Sequence, residues 1–152
     1  MTRRVTRPRR TGRPRRAPSA FSAPATPAGM KRLLDGFTRF ASRRRVPSAV
    51  RHDMYVALDE LLSNSVKHAR PGGGGRLSLS CAVRDGMLTV AVRDNGPAFN
   101  LLEAPRPRTD QPLMERPIGG LGILLVRELM DDVSYERLDE VNRTVLKKVF
   151  AR

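Results

Sequence analysis

The chain has 152 residues, a formal net charge of +14 and one cysteine, Cys81. This length suits a single domain of ordinary size, and one cysteine excludes an intramolecular disulfide. No apolar stretch approaches the roughly 20 residues that a membrane span requires, and no apolar segment typical of a secretory signal lies near the N-terminus. We therefore expect a cytoplasmic protein with no membrane association, in which Cys81 is a small buried hydrophobe within a strand pattern.

Much of the positive charge belongs to the N-terminal segment, residues 1–20. It contains eight arginines and no acidic residue, so subtracting it from +14 leaves +6 for the rest of the chain. Prolines interleave with the arginines and almost nothing is apolar, a composition that cannot offset the entropy of ordering. We predict a disordered basic tail over residues 1–20 and a globular domain over 21–152. The tail is either an arm for nucleic acid or anionic lipid or simply an unstructured extension.

Two helices are predicted at the start of the globular region. Thr26 followed by Pro27 is typical of a helix N-terminus, and Val46-Pro47 ends the helix after a basic last turn. Ser48 is expected to cap a second, longer helix that ends near Arg70-Pro71. The apolar positions at helical spacing are Met30, Leu33, Leu34, Phe37, Phe40 and Ala41 in the first helix, and Val50, Met54, Ala57, Leu58, Leu61, Leu62, Val66 and Ala69 in the second.

A β-hairpin and a long loop follow the second helix. Alternating apolar residues over 77–83 and 88–92 predict two strands, and Asp85-Gly86 between them is a strong hairpin signal. Residues 100–118 contain four prolines and no periodicity, and a loop of this length in a compact domain is typical of a lid.

The C-terminal part predicts one helix and a second hairpin. Leu121–Met130 is apolar on nearly every side, so this helix should be buried against the sheet. Two strands over 133–138 and 144–150 are joined at residues 139–143. The order helix, helix, hairpin, lid, helix, hairpin predicts an α+β fold, a two-layer sandwich with helices on one face of a mainly antiparallel sheet.

The second predicted helix carries a polar stripe beside its apolar face. Glu60, Asn64, Lys67 and His68 are spaced i, i+4, i+7 and i+8 and so share one side of the helix. Asn64 offers a neutral oxygen ligand for a Mg²⁺ already carried by phosphates, and Glu60 is placed to accept a proton from a nucleophile. The simpler alternative is a solvated helix face with a Glu-Lys pair.

Two further segments suit a nucleotide site. Asp94, at the end of a strand, is a candidate acceptor for the exocyclic amine of adenine, and Gly96 leaves room for the base. Gly119-Gly120-Leu121-Gly122 places free backbone N–H groups and the positive end of a helix dipole where phosphates would lie. Each segment is also explained as an ordinary turn. The Walker A and GxGxxG patterns are absent, which disfavours a P-loop or Rossmann site, and together the three segments predict ATP binding.

These segments, in this order, resemble the N, G1 and G2 boxes of the GHKL ATPase superfamily, and the chain is similar in particular to the bacterial anti-sigma-factor serine/threonine kinases of the RsbW type. The resemblance covers about residues 20–150. It implies an ATP-binding α/β sandwich with adenine at the Asp94 position, Mg²⁺ held through Asn64 and a general base at Glu60. The segments are Glu60-x-x-x-Asn64-x-x-Lys67-His68-Ala69, Asp94-x-Gly96-x-x-Phe99 and the run from Arg116 to Asp131 that contains Gly119-Gly120-Leu121-Gly122.

The same resemblance implies the partners. They are a STAS-domain anti-anti-sigma factor whose Ser or Thr is phosphorylated, a sigma factor that is sequestered, and a second copy in a homodimer. The alternative is a non-catalytic partner-switching module for which ATP is only a structural ligand. Glu60 favours the kinase, because binding alone requires no base. Nucleic-acid binding is expected only through the tail, which lacks the aromatic residues of a single-strand platform.

Overall fold

The computed structural model describes residues 16–103 and 120–150. The predicted lid at 100–118 therefore falls mostly outside the described residues; a short 3-10 turn, Leu101–Glu103, precedes that gap. In the described ranges the helices are α1 (Pro27–Arg43), α2 (Ser48–Lys67) and α3 (Gly120–Leu129), and the strands are β1 (Ser19–Pro24), β2 (Arg76–Arg84), β3 (Met87–Asp94), β4 (Asp132–Leu138) and β5 (Val141–Val149).

The strands form one sheet in the order β1-β2-β3-β5-β4, and every neighbouring pair is antiparallel. Apolar side chains from β2 and β3 alternate toward one face, where they join the apolar faces of α1 and α2 in a single core. Cys81 lies in this core with no exposed surface, as predicted, and burial raises the pKa of its thiol to about 12. The predicted two-layer α+β architecture is confirmed.

Both hairpin turns have left-handed backbone at their two central residues, as type I′ turns require. Asp85 and Gly86 have φ angles of 49° and 74°, and Asp139 and Glu140 have 51° and 62°. The second turn is shorter than the predicted joint at 139–143, because β5 already begins at Val141. Neither of its central residues is glycine, so the turn costs about 1–2 kcal/mol per residue, which the pairing of β4 with β5 offsets.

The first strand is absent from the sequence-based order of elements. In β1, Ser19 pairs with Cys81 and Ala20 with Ser80, so the predicted tail boundary at residue 20 is wrong by two residues. The strand forms because Ala23 is buried and Phe21 packs against the core. As a short edge strand it also tolerates a proline at its end, Pro24.

The helix ends confirm one predicted cap and correct another. Thr26 Oγ1 accepts a hydrogen bond from the Gly29 N–H at 3.0 Å, as predicted. The predicted cap at Ser48 is wrong, because Ser48 is already helical and Pro47 occupies the cap position without a side-chain bond. The α2 helix ends at Lys67, before the predicted Arg70-Pro71.

Helix α3 is buried on one side only. Ile123, Val126 and Met130 are buried, but Leu125 is 40% exposed. In contrast to the near-complete burial predicted, one face of the helix is open to solvent. Of the helices within 16–103 and 120–150, none combines the length and apolar character needed to cross a bilayer.

Candidate functional site

The register of the sheet lines up three polar residues at one end of its helix-covered face. Asp94 on β3 is opposite Asn142 on β5, and Asn142 is opposite Arg137 on β4. The adjacent row inward contains Val92 and Thr144, which are also opposite each other. Because strand side chains alternate between faces, both rows point toward the helices.

A cleft opens between these rows and the C-terminal part of α2. Apolar and polar side chains share its walls, with one carboxylate, Asp94, at the sheet end. The cleft brings together four of the residues that the sequence singles out, Asn64, His68, Asp94 and Gly96. Its other lining residues are Leu61, Ser65, Val92, Pro97, Phe99, Leu101, Asn142 and Thr144.

Three donors hold the Asp94 carboxylate in place. Oδ1 accepts hydrogen bonds from the Gly96 N–H at 2.9 Å and from Asn142 Nδ2 at 3.0 Å. Oδ2 accepts one from Ser65 Oγ at 3.0 Å. An ionised carboxylate has about four lone-pair sites, so Oδ2 keeps an acceptor position for one further donor.

Gly96 is explained by contacts within the chain. A Cβ at this position would lie 3.0 Å from Asp94 Oδ1 and 3.5 Å from the His68 carbonyl oxygen. Its lack of a side chain therefore lets the turn after β3 close onto the Asp94 carboxylate. The sequence-based prediction of room for a base at Gly96 stays a prediction.

Asn142 connects the parts of the site and was missed by sequence reasoning. It is only 3% exposed, and Nδ2 donates to Asp94 Oδ1 and to the Pro97 carbonyl oxygen at 2.8 Å. Its Oδ1 accepts from Tyr135 Oη at 2.5 Å and from Arg137 Nη1 at 2.9 Å. One side chain thus ties β3, β4, β5 and the loop after β3 together. The signal that could have found it is a polar residue at a core-facing position of a strand, since such groups persist only where they are hydrogen-bonded.

Glu60 lies beside α3 rather than in the lining of the cleft. A Cβ on Gly122 would be 2.7 Å from Glu60 Cδ and would overlap Oε2, so Gly122 leaves room for Glu60. The group that approaches Gly122 most closely is thus the Glu60 side chain of the same chain. A carboxylate next to the first turn of a helix is favoured by the positive end of the helix dipole.

The other predicted residues lie around the site or beyond the described chain. Lys67 is exposed at the last position of α2, and His68 follows it as the C-cap. Gly120 opens α3 with Leu121 next to it, whereas Gly119 lies outside the described residues. Asn64 is half-buried in the cleft, and its side chain forms no hydrogen bond with another described residue.

No group of three His, Cys, Asp or Glu residues in the described part of the chain could hold a metal ion. A metal ion in this cleft would thus take few ligands from the protein. Mg²⁺ bound through one side chain, substrate phosphates and water fits this donor set.

Comparisons with known proteins agree with this fold. The profile of the family described as Histidine kinase-like ATPase domain matches residues 23–148. That range contains α1, α2 and α3, strands β2, β3 and β4, nearly all of β5 and every residue of the cleft, and it begins within β1. The chain belongs to this family, and the resemblance inferred from its motifs is confirmed.

The chain is also similar to two curated proteins and to one solved structure. Serine-protein kinase RsbW of Listeria monocytogenes serotype 4a is 36% identical over 99 residues, which cover 61% of this chain and 62% of the relative. Serine/threonine-protein kinase BtrW of Bordetella bronchiseptica is 31% identical over 107 residues, 70% of this chain and 75% of the relative. A Mycobacterium tuberculosis structure containing RsbU and RsbW domains matches 89% of this chain and 33% of its own with a TM-score of 0.63 at 14% identity, which shows a shared fold. The chain spans about three fifths of the length of the Listeria relative.

Proposed function

We propose that this chain is an ATP- and Mg²⁺-dependent serine/threonine kinase that phosphorylates a STAS-domain anti-anti-sigma factor and sequesters a sigma factor. The observation that carries the proposal is the Asp94 carboxylate, held by three donors at the end of the cleft with an acceptor position left open. Membership of the family supports it, as does the similarity to two proteins named as serine or serine/threonine kinases. The proposal includes a homodimer and a cytoplasmic location.

Adenine is the base that this cleft selects. The amine of adenine donates a hydrogen bond to Asp94 Oδ2, whereas guanine places a carbonyl oxygen at the corresponding position. The guanine carbonyl oxygen and Asp94 Oδ2 are both acceptors, so neither would have a donor to bond. A site that depends on such a hydrogen bond therefore discriminates strongly against guanine. Leu61 and Val92, which line the cleft, supply apolar surface for the ring.

The phosphates of ATP are assigned to the region between Asn64 and the start of α3. Asn64 is the protein ligand for Mg²⁺, which neutralises phosphate charge when bound. The contact between Glu60 and Gly122 brings the first turn of α3 to the polar stripe of α2. Backbone N–H groups at a helix N-terminus favour phosphate, so the proposed phosphate contacts are Gly120, Leu121 and Gly122 of this turn, with Lys67 and His68 at the end of α2. Gly119, which precedes α3 in the sequence and lies outside the described residues, is proposed with them.

Glu60 is proposed as the general base. It would accept the proton from the Ser or Thr hydroxyl of the STAS partner as that oxygen attacks the terminal phosphate. Its neighbours support this role, because it lies one helical turn from Asn64 on α2 and against Gly122 on α3.

The preference for ATP over GTP tests the proposed role of the Asp94 carboxylate. Asp94→Asn converts one carboxylate oxygen into an amide donor, and we expect ATP binding to weaken by about 1–3 kcal/mol, the usual effect of spoiling a buried hydrogen bond. Isothermal titration calorimetry with ATP and GTP measures it, with Asp35→Asn on the exposed side of α1 as the matched control. A wild type that binds no ATP, or binds GTP equally well, contradicts the proposal.

The rate of phosphoryl transfer tests the proposed role of Glu60 as general base. Glu60→Gln keeps the shape of the side chain but removes the proton acceptor, so transfer from γ-labelled ATP to the STAS partner should fall by roughly 10²-fold or more. ATP binding and sigma-factor sequestration should persist. Glu128→Gln, an exposed carboxylate on α3, is the control. Undiminished transfer in Glu60→Gln refutes the base, and no transfer by the wild type favours the non-catalytic module.

A further inference from the structure

Two glycines show that α1 runs antiparallel to β1. A Cβ on Gly29 would overlap the Pro24 carbonyl oxygen, and a Cβ on Gly36 would lie 2.9 Å from Phe21 Cδ1. The step of seven residues from Gly29 to Gly36 along the helix therefore matches the step of three residues from Pro24 to Phe21 along the strand. Both steps cover about 10 Å. One further step of seven places Arg43, the last residue of α1, level with Pro18, at the end of the sheet where β1 begins.

Other arginines meet at this end of the domain. Ser19 pairs with Cys81, so β2 continues past the start of β1 to Arg84. Helix α2 begins here too, since Arg51 Nη1 donates to Ser42 Oγ at 3.0 Å. We define the basic pole by six residues, Arg16, Arg43, Arg44, Arg45, Arg51 and Arg84.

The basic pole lies at the opposite end of the sheet from the cleft. Asp94 is opposite Leu77 on β2, and the seven residue-to-residue steps from Leu77 to Arg84 span about 23 Å of extended strand. A ligand at the pole therefore does not touch the nucleotide site.

Most charges of the pole are not neutralised. Arg84 faces Asp85 at 3.9 Å in an exposed ion pair, but among the described residues no carboxylate forms an ion pair with the other five arginines. Arg43 lies in the last turn of α1, where a cation complements the helix dipole, and Arg44 and Arg45 follow the end of the helix. Arg43 and Arg45 are exposed.

The neighbouring sequence extends the same charge. Seven more arginines lie before Arg16, with no acidic residue among them, and this segment joins the described structure at the pole. Within the described residues, Asp85 is the one carboxylate in an ion pair with the pole, so the folded end keeps a net positive charge.

We propose that the basic pole is a binding surface for the phosphate backbone of duplex DNA. The pole consists of arginines alone, and the planar guanidinium pairs with phosphate oxygens through two hydrogen bonds. The ring under Arg44 is Phe40, with the guanidinium 5.5 Å from its centroid, and Phe40 is buried. It therefore offers no stacking platform for unpaired bases, so the pole contacts backbone and not base edges, and binding is independent of sequence.

Fluorescence anisotropy with a labelled duplex DNA of arbitrary sequence tests the surface on the full chain. We expect binding whose affinity falls steeply with salt, because each neutralised phosphate releases counterions. Arg43→Gln/Arg45→Gln should weaken binding roughly tenfold and reduce the salt slope by about 2, one unit for each lost contact. The matched control is Lys31→Gln/Arg32→Gln, which removes two exposed charges from the other end of α1 and should change binding less than twofold.

Each outcome decides the proposal. The proposal is supported if Arg43→Gln/Arg45→Gln alone loses affinity for duplex DNA while its ATP binding and thermal midpoint stay unchanged. Equal losses in the two variants would show that only total charge matters and overturn it. Binding to phosphatidylglycerol vesicles but not to duplex DNA at 50 mM salt, or binding to neither, also overturns it.

Discussion

Among single residues, Asn142 has the most consequences for the site. Asp94 is the carboxylate that we propose recognises adenine, and Asn142 fixes where that carboxylate and the loop after β3 lie, through bonds to Asp94 Oδ1 and the Pro97 carbonyl oxygen. It is a positioning residue, since Asp94 takes the ligand contact that we assign. Its burial makes every one of these bonds expensive to lose.

Replacing Asn142 by leucine should harm both stability and nucleotide binding. The change removes the amide that bonds Tyr135, Arg137 and Asp94. Tyr135 loses its partner, whereas Arg137 keeps the Gly96 carbonyl oxygen and Asp94 keeps its donors from Gly96 and Ser65. Each buried hydrogen bond lost in this way costs about 1–3 kcal/mol. We expect the free energy of unfolding in urea to fall by about 3 kcal/mol, and ATP affinity measured under folding conditions to fall at least about tenfold as Asp94 loses its alignment.

Tyr135→Phe is the matched control for that substitution. It removes one donor to Asn142 Oδ1 and leaves the one from Arg137 in place. Stability should change by about 1 kcal/mol or less, and ATP affinity should stay the same. If Asn142→Leu binds ATP as tightly as Tyr135→Phe, the positioning role of Asn142 is wrong.

At the scale of elements, β1 changes the interpretation of the N-terminal region. It covers the outer edge of β2 and provides the surface on which α1 packs through Gly29 and Gly36. Sequence patterns missed it because Ser-Ala-Phe-Ser-Ala-Pro has no β-branched residue and ends in proline, which lowers strand propensity. Its stability comes from tertiary contacts, the burial of Ala23 and the packing of Phe21.

Two truncations separate the tail from the strand. Deleting residues 1–18 removes only residues ahead of β1, so the thermal midpoint should move by no more than about 2 °C. Deleting residues 1–24 removes β1 and exposes the edge of β2, and it should cost at least about 3 kcal/mol from lost apolar burial and hydrogen bonding. Thermal unfolding followed by circular dichroism measures both. An unfolded 1–18 deletion would contradict the proposed boundary of the tail.

At the scale of the whole molecule, the sheet separates two chemically different ends. The row of Asp94, Asn142 and Arg137 forms the end with the cleft, and the arginines around Arg43 and Arg84 form the other. The strands hold these ends about 20–25 Å apart. The separation gives the proposed kinase site and the proposed DNA surface independent positions on one rigid layer.

Much of the fold follows from local patterns in the chain. The cap at Thr26, the helical spacing of apolar residues in α1 and α2, and Asp85-Gly86 between alternating strands predict elements that the structure confirms. Each of these features depends on residues a few positions apart, so the local sequence is enough to predict the helix, strand or turn. The motifs around Asn64 and Asp94 were identified in the same way.

Other features became visible only with the tertiary structure. Asn142 and Ser65 lie 48 and 29 residues from the Asp94 that they bond, and Gly122 meets Glu60 across two helices. No spacing along the chain encodes these contacts, because they depend on the register of β5 and on how the helices pack. The sequence by itself determined the family, most of the elements and the residues that we propose bear the chemistry. Strand pairing and side-chain packing decided the presence of β1 and which partners hold those residues in place, because these contacts join segments far apart in the chain.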